Sequence, residues 1–292
     1  MIYGCSYEEV REKEIERKAG VEKTAGFFLM LFIVAGTFAV VYGILYVANL
    51  IHPVLRFCLE TFFIYQILAT KSLKTESMKV YKKLKEGDLI GARKEVSYLV
   101  GRDTENLDES EVAKADVETI AENTADGVIA PMLFIAIGGA PLGFAYKAVN
   151  TLDSMVAYKN EELINIGFFS AKMDDICNFI PARFAAVMLM IASLILRFDF
   201  KGAVKIFKRD RFAHLSPNSA QTEAVAAGAL QIQLGGTHNY FGKAVVKPTI
   251  GDDIRPVEYE DIKRTNQLLY VSAVLSMAVC CLITFLIYVQ LF

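Results

Sequence analysis

Long apolar runs alternate with charged blocks along this chain of 292 residues. Residues 25–51 and 268–292 contain no charged side chain. Each run exceeds the roughly 20 residues that an α-helix needs to cross the hydrocarbon core of a bilayer. The first run follows a charged, helix-prone segment and lacks a small-residue cleavage pattern, so it is not a secretory signal. Both runs are therefore predicted to be membrane-spanning helices.

Two further apolar segments are interrupted. Residues 51–70 contain Arg56 and Glu60, four positions apart, and an ion pair on one helix face explains these two residues as well as a functional site does. Residues 127–147 are broken by the Gly-Gly-Ala-Pro sequence at 138–141. This pattern favours a kinked or re-entrant segment, and such broken segments at membrane depth commonly line cavities.

Composition supports a membrane protein, because 54% of the residues are apolar, 22% are charged and the mean hydropathy is +0.35. Two polar excursions, at about 71–127 and 199–266, each carry ten Lys or Arg residues, and basic loops stay on the cytoplasmic side. The predicted fold class is all-α: a polytopic integral membrane helical bundle, a single domain over residues 1–292 with helical cytoplasmic excursions. About five membrane segments are predicted, at 25–51, 51–70, 127–147, 180–197 and 268–292.

The first excursion contains an acidic helix. Asp108 and Glu111 have the spacing of a capping box at a helix start. Glu118, Glu122 and Asp126 follow at intervals of four and therefore lie on one stripe of that helix. Like charges at this spacing repel each other, and a divalent cation would offset the repulsion. A solvated acidic face remains the alternative.

Several classes of function are excluded by what the chain lacks. With a net charge of −2 there is no basic field to attract nucleic acid. The five cysteines include no CxxC pair, which favours free thiols over a disulfide framework or a zinc site. The sequence has no Walker loop, GxGxxG turn or GxSxG elbow. The three histidines, His52, His214 and His238, have no metal-ligand spacing.

What remains is a set of carboxylate, amide and cationic side chains next to apolar segments. Carboxylate and amide oxygens suit magnesium, and magnesium with nearby cations suits phosphate. Ionisable groups at membrane depth are costly and usually functional, so we expect residues 148–178 to face a cavity open to the cytoplasm. The set comprises Glu118, Glu122, Asn123, Asp126, Asp153, Asp174, Asp175 and Asn178, with Arg102, Lys147, Lys159 and Arg183.

Five segments of the chain closely resemble the adenosylcobinamide-phosphate synthase family, called CbiB or CobD. They follow one another in collinear order within roughly residues 40–265, and several exceed ten residues. The segments are VGRDTENLDESEVAKADVETIAENTADGVIAP (100–131), GGAPLGFAYKAVNTLDSMVAYKNE (138–161), SAKMDDICNFIPARF (170–184), SPNSAQTEAVAAGALQIQLGG (216–236) and residues 240–251.

The resemblance implies a multi-pass enzyme of the cell membrane that acts in cobalamin biosynthesis, with its active site facing the cytoplasm. Such an enzyme joins adenosylcobyric acid to (R)-1-amino-2-propanol O-phosphate or ethanolamine phosphate through an amide bond. ATP would be its co-substrate and Mg²⁺ its cofactor. Its implied partners are the lipid bilayer, these two substrates and other late cobalamin-assembly membrane enzymes, with no nucleic acid among them.

Carried over to this sequence, the resemblance assigns roles to named residues. Asp153, Asp174, Asp175 and Lys147 are the expected catalytic residues. The expected metal ligands are Glu122, Asp126, Asp153, Asp174 and Asp175. The expected substrate and phosphate contacts, in which the asparagines orient the substrates, are Arg102, Lys147, Lys159, Arg183, Asn123, Asn150, Asn178, Ser216 and Asn218.

Two of these assignments have structural alternatives. Ser216–Ser219 precede a predicted helix at 220–233, whose first N–H groups can bind a phosphate, although a simple turn and cap explains the segment equally well. For Arg102, the alternative to a phosphate contact is a structural ion pair with the adjacent Asp103.

The chain departs from the family pattern at its beginning. Members open with an apolar segment that carries Asp-Pro and His-Pro-Val, whereas residues 1–24 are charged and contain neither. We therefore expect the N-terminal topology to differ. Two other functions compete with the synthase: an intramembrane prenyltransferase of the UbiA kind, whose paired DxxxD motifs are absent, and a corrinoid transporter with broken helices, for which no internal repeat is found.

Overall fold

The structure, a computed structural model, describes residues 7–156, 163–240 and 242–291. The described chain is almost entirely helical and contains a single two-stranded sheet. The helices are α1 (Tyr7–Ile51), α2 (Pro53–Ile67), α3 (Thr70–Lys85), α4 (Leu89–Ser97), α5 (Glu109–Asn123), α6 (Ala130–Val156), α7 (Phe168–Ile195), α8 (Phe200–Asp210), α9 (Ser219–Leu230) and α10 (Tyr259–Leu291), and the strands are β1 (Leu234–Tyr240) and β2 (Lys243–Ile250).

Four helical stretches of the described chain are long and apolar enough to cross a membrane: Lys18–Ile51, Glu109–Val156, Phe168–Ile195 and Tyr259–Ile287. Their outer faces carry large apolar side chains that no described part of the chain covers, such as Phe32, which is 78% exposed. Such faces are stable against lipid. The protein is thus an all-α, polytopic membrane protein, as the sequence predicts.

The fifth predicted span, 51–70, is the exception. The helix at this position, α2, has only 15 residues, fewer than a membrane crossing requires. The reason is Pro53, which has no backbone N–H and so cannot continue the helical hydrogen bonds of α1 into the next segment. The remaining predicted segments fall largely within the four long stretches.

The chain forms two compact units. The first comprises residues 1–64 and 138–177, and the second comprises residues 65–137 and 178–292. The boundaries cut α6 near its start and α7 in its first half. The single domain predicted over the whole chain stays a prediction.

In the first unit, a small apolar cluster joins three helices. Val41 and Leu45 of α1 contact Ala140 of α6, and side chains of α2 pack around them. The turn before Ala140 is not helical, since Gly139 has φ 65° and ψ −164°. This break confirms that the predicted 127–147 segment is kinked.

The second unit has the large core, which α3, α5, α9 and α10 share with parts of α6 and α7. Three of its helices, α4, α5 and α8, begin at an aspartate whose side chain accepts from a backbone N–H of the first turn. The predicted capping box of α5 is present, because Asp108 accepts from the N–H of Glu111 at 2.8 Å and Glu111 accepts from the N–H of Asp108 at 2.9 Å. A π-helical turn, Thr124–Ile129, joins α5 to α6.

A β-hairpin lies in the second excursion, where only helices were predicted. Strands β1 and β2 pair antiparallel, from Leu234 opposite Ile250 to Tyr240 opposite Lys243. Gly235 and Gly236 both have positive φ, at 74° and 101°, a backbone conformation that favours glycine. Helix α9 has already ended at Leu230, with Gln231 in the left-handed conformation, and the hairpin corrects the all-helical expectation for residues 199–266.

Candidate functional site

A cavity of about 150 Å³ lies within the second unit. Side chains from α5, α9, both strands and the loops that follow α4 and α8 surround it. Its acids are Glu118, Glu122 and Glu223, its permanent cations are Arg102 and Lys247, and the other residues that line it are Leu99, Val100, Gly101, Thr119, Asn123, His214, Gly235, Tyr240, Pro248 and Ile250.

Arg102 enters the cavity wall from the loop after α4. Its guanidinium forms an ion pair with Glu118 of α5, and both side chains are more than nine-tenths buried. One terminal nitrogen of Arg102 lies 3.1 and 3.2 Å from the two ring nitrogens of His238 on β1. Glu118 also accepts from the N–H of Gly235 at 2.7 Å. Together these contacts join the loop, α5 and the hairpin.

The buried Arg102 retains one donor without an acceptor. Within the described part of the chain its Nε has no hydrogen-bond partner. Leaving a buried charged donor unpaired costs free energy, so this atom marks a place where a ligand oxygen fits. Burial and the neighbouring Arg102 lower the pKa of His238 to about 4. His238 is therefore neutral at physiological pH and supplies no charge that could balance Arg102.

Glu122 lies one turn after Glu118 on α5. Its Oε1 accepts from the hydroxyl of Ser219, the first residue of α9, at 2.7 Å. The residue before it, Asn218, accepts from Arg183 at 3.2 Å and donates its backbone N–H to the Ser216 hydroxyl at 3.3 Å. The predicted Ser216–Ser219 segment thus precedes a helix, as expected, and connects that helix to the acidic stripe.

Glu223, one turn into α9, is the most buried acid of the cavity wall. Burial, together with the nearby carboxylates Glu122 and Glu118, raises the pKa of Glu223 well above its usual range. His214 is also mostly buried, and burial lowers its pKa despite the attraction of Glu122. Nδ1 of His214 accepts from the backbone N–H of Ser216 at 3.0 Å, so the neutral ring carries its proton on Nε2.

The predicted site residues divide between the two units. In the second unit, Arg102, Glu122 and Asn123 line the cavity, while Arg183, Ser216 and Asn218 form the hydrogen-bonded segment that leads to Ser219. Asp126 and Asn178 belong to this unit but not to the cavity lining. The alternative pairing of Arg102 with Asp103 is replaced by the pair with Glu118, and Asp103 accepts from the Gly242 N–H at 2.8 Å instead.

The other predicted residues lie in the first unit. The Asn150 amide donates to Asp174 at 3.4 Å, and Lys172 lies 4.0 Å from Asp175. Lys147 and Asp153 are on the same part of α6 as Asn150. Lys159 lies outside the described residues.

The five predicted metal ligands are divided between the two units, and their joint role stays a prediction. Glu122 and Asp126 are in the second unit, whereas Asp153, Asp174 and Asp175 are in the first. Among the described residues no three His, Cys, Asp or Glu side chains are grouped so as to hold a metal ion. The magnesium site expected from the sequence stays a prediction.

Sequence reasoning missed three cavity residues that carry chemistry, His214, Glu223 and Lys247. It also missed the contact of Ser219 with the cavity residue Glu122. The histidine was considered only as a metal ligand. Ser219 and Glu223 lie within the quoted segment 216–236, which gives their identity but not their burial. Lys247 lies on a strand where no strand was expected. One signal could have found Glu223: it is the only charged residue of α9, whose other residues are mostly small.

The fold and the cavity define a class of protein: a polytopic helical membrane protein with a small site walled by both acids and cations. Residues 5–269 match the family model described as CobD/Cbib protein. The chain belongs to the CobD/CbiB family.

Curated relatives agree over most of the chain. It is 55% identical to the cobalamin biosynthesis protein CobD of Clostridium perfringens over 89% of this chain and 83% of that protein. It is 53% identical to the CobD protein of Streptococcus sanguinis, over 85% of this chain and 78% of the relative. The protein CbiB of Salmonella choleraesuis is 46% identical, over 88% and 80%. No solved structure matches the chain. These relatives support a role in cobalamin biosynthesis.

Proposed function

We propose that this protein is an adenosylcobinamide-phosphate synthase, which joins adenosylcobyric acid to an aminoalcohol phosphate at the expense of ATP. One observation carries the proposal. Three segments that resemble the synthase family and are far apart in sequence supply the charged wall of one cavity: 100–131 supplies Arg102, Glu118 and Glu122, 216–236 supplies Glu223, and 240–251 supplies Lys247.

The reaction explains why such a site needs both signs of charge. A carboxylate is a poor electrophile, so ATP first transfers its γ-phosphoryl group to a carboxylate oxygen of the corrinoid and leaves as ADP. The amine then attacks the acyl carbon, the C–N bond forms, and the C–O bond breaks as inorganic phosphate departs. Cations stabilise the phosphoryl groups, and an acid–base group accepts the proton that the amine loses.

Magnesium enters this scheme with ATP. Mg²⁺ usually keeps several waters and binds through substrate phosphates with one or two carboxylates, so it does not require the all-protein site that the described residues lack. The residues of this chain bind the two anionic substrates, orient them and exclude water.

The enzyme is proposed to lie in the cell membrane with the cavity on the cytoplasmic side. The loops and short helices around the cavity belong to the two excursions that carry ten basic residues each, and basic loops favour the cytoplasmic face. Adenosylcobyric acid and ATP are then supplied from the cytoplasm, and other late cobalamin-assembly enzymes of the membrane can receive the product.

Product formation tests the proposal. The purified full-length chain is incubated with adenosylcobyric acid, ethanolamine phosphate or aminopropanol phosphate, ATP and magnesium, and the products are measured by mass spectrometry. We expect an amide whose mass is the sum of the two substrates minus water, and no product when ATP is omitted.

The alternative functions give other results in the same assay. A transporter would bind the corrinoid without consuming ATP, and a prenyltransferase would release pyrophosphate from an isoprenoid donor. Absence of the amide from a folded, monodisperse sample would contradict the synthase.

A further inference from the structure

We propose that the cavity of the second unit binds the small aminoalcohol phosphate, with the phosphate at Arg102 and Lys247 and the amine at Glu122 and Glu223. The identity of this ligand rests on the proposed function. The geometry alone points to its chemical class: a small zwitterion that carries an ammonium group and a phosphate.

The volume of the cavity selects the smallest of the three substrates. Sites for drug-sized ligands measure about 300–1,000 Å³, whereas this cavity measures about 150 Å³. A nucleotide triphosphate or a corrinoid is much larger than the cavity. An aminoalcohol phosphate, with fewer than about ten non-hydrogen atoms, is of the right size by the same comparison.

The cationic part of the wall suits a phosphate. Arg102 is held in place by Glu118 and lies against the neutral His238, yet its buried Nε–H has no acceptor among the described residues. Lys247 reaches the same cavity from β2 and is only partly buried. A phosphate oxygen would satisfy the Arg102 donor, and a charge-assisted hydrogen bond of this kind is stronger than a neutral one.

The acidic part of the wall suits an ammonium group. Glu122 is oriented by the Ser219 hydroxyl at 2.7 Å, and Glu223 lies close enough to Glu122 for the two carboxylates to affect each other. Since two neighbouring carboxylates repel, a cation between them is favourable. Glu118 does not compete for this role, because Arg102 and the Gly235 N–H already occupy it.

The two acids then act differently on the bound amine. Glu122, oriented by the Ser219 hydroxyl, accepts a hydrogen bond from the ammonium group and holds it in place. The ionised form of Glu223 accepts one proton from the ammonium nitrogen, which gives a neutral amine with a free electron pair and the neutral carboxyl group that burial favours. A base with a raised pKa is suited to this transfer near neutral pH.

Direct binding tests the location without turnover. The full-length protein in detergent is titrated calorimetrically with ethanolamine phosphate, in the absence of ATP and corrinoid. We expect Lys247→Met to weaken binding about tenfold or more, as expected for loss of a hydrogen bond to a charged group, and Lys208→Met, on the exposed face of α8, to bind like the wild type.

A second pair of variants tests the amine end. Glu122→Gln is expected to weaken binding of ethanolamine phosphate but not of ethyl phosphate, which has no amine. Glu105→Gln, at an exposed position outside the cavity, should change neither. Wild-type protein that does not bind ethanolamine phosphate, or binding that neither Lys247→Met nor Glu122→Gln weakens, would overturn the proposal.

The outcome separates this proposal from the proposed function. If the protein forms the amide but Lys247→Met raises the KM for adenosylcobyric acid and leaves the KM for the amine unchanged, the synthase stands and the cavity assignment fails. If the wild type binds ethanolamine phosphate but forms no amide, the cavity assignment stands and the synthase fails.

Discussion

Three glutamates of one cavity are held in three different environments. Glu118 is neutralised by Arg102, Glu122 accepts from Ser219, and Glu223 is buried in α9 beside both of them. Because the environment of each carboxylate sets its protonation, side chains of the same type can serve in binding and in proton transfer. Their separate roles follow from their neighbours in the fold.

Glu223→Gln tests the proton-transfer role. The amide has nearly the same shape but cannot accept a proton, so we expect kcat for amide formation to fall about 100-fold or more with little change in the KM for the amine. In the wild type, kcat should rise with pH as Glu223 ionises, a step that burial, Glu122 and Glu118 oppose and that Lys247 and Arg102 favour, with the neutral His214 nearby. The variant should lack this rise.

The same substitution should stabilise the fold at high pH. A carboxyl group whose folded pKa is raised contributes stability below its unfolded pKa, and this stability is lost as the pH rises through the folded pKa. We therefore expect Glu223→Gln to have a higher Tm than the wild type at pH 8 and an equal Tm near pH 4. A lower Tm at both pH values would contradict the assigned environment.

At the residue scale, the sequence predicted which types of side chain form the site better than it predicted which of them lie next to each other. The stripe of Glu118, Glu122 and Asp126 follows from helical periodicity alone, and two of its members line the cavity. Glu223 and Lys247 could not be placed, because they reach Glu122 only through contacts between elements that are about 100 residues apart in the chain. Periodicity describes one helix at a time.

At the scale of elements, the interruption of α6 is the feature with the clearest local cause. Gly139 has φ 65° and ψ −164°, a backbone region that only glycine adopts readily. Directly after it, Glu60 of α2 accepts from the N–H of Ala140 at 3.4 Å while lying 3.7 Å from Arg56. The ion pair between Arg56 and Glu60, one of the two interpretations that the sequence left open, is therefore present. Through Glu60, the pair also supports the interruption of α6.

Gly139→Ala tests this account of the interruption. The new Cβ would lie 2.6 Å from a carboxylate oxygen of Glu60, and the backbone conformation itself costs about 1–3 kcal/mol for a non-glycine residue. We expect a Tm several degrees lower in detergent. The matched variant Gly36→Ala, where a Cβ in α1 meets nothing within 4 Å, should keep or raise the Tm. Equal Tm values for the two variants would show that the interruption is not strained.

Elements were predicted where a local signal exists. The capping box of α5 and the Gly-Gly interruption of α6 are such signals, and both are present. The hairpin was missed because its strands are only seven and eight residues long, too short for alternation to outweigh the helical character of the segments around them.

At the scale of the whole molecule, the apolar segments show that this is a membrane protein, and its family indicates a role in cobalamin biosynthesis. Four long helices require a bilayer, and the cavity lies within the second unit. The five predicted metal ligands come from the resemblance to the family. They belong to both units, and their joint role stays a prediction.

The most direct test of the proposed reaction follows the oxygen atoms of the corrinoid carboxylate. Adenosylcobyric acid labelled with ¹⁸O in that carboxylate is incubated with the protein, ATP, magnesium and ethanolamine phosphate, and the released phosphate is analysed by mass spectrometry. If ATP activates the carboxylate as an acyl phosphate, each amide formed delivers one ¹⁸O to inorganic phosphate. Label found in AMP, or unlabelled phosphate alongside the amide, would contradict this mechanism, and the absence of both amide and labelled phosphate would contradict the synthase itself.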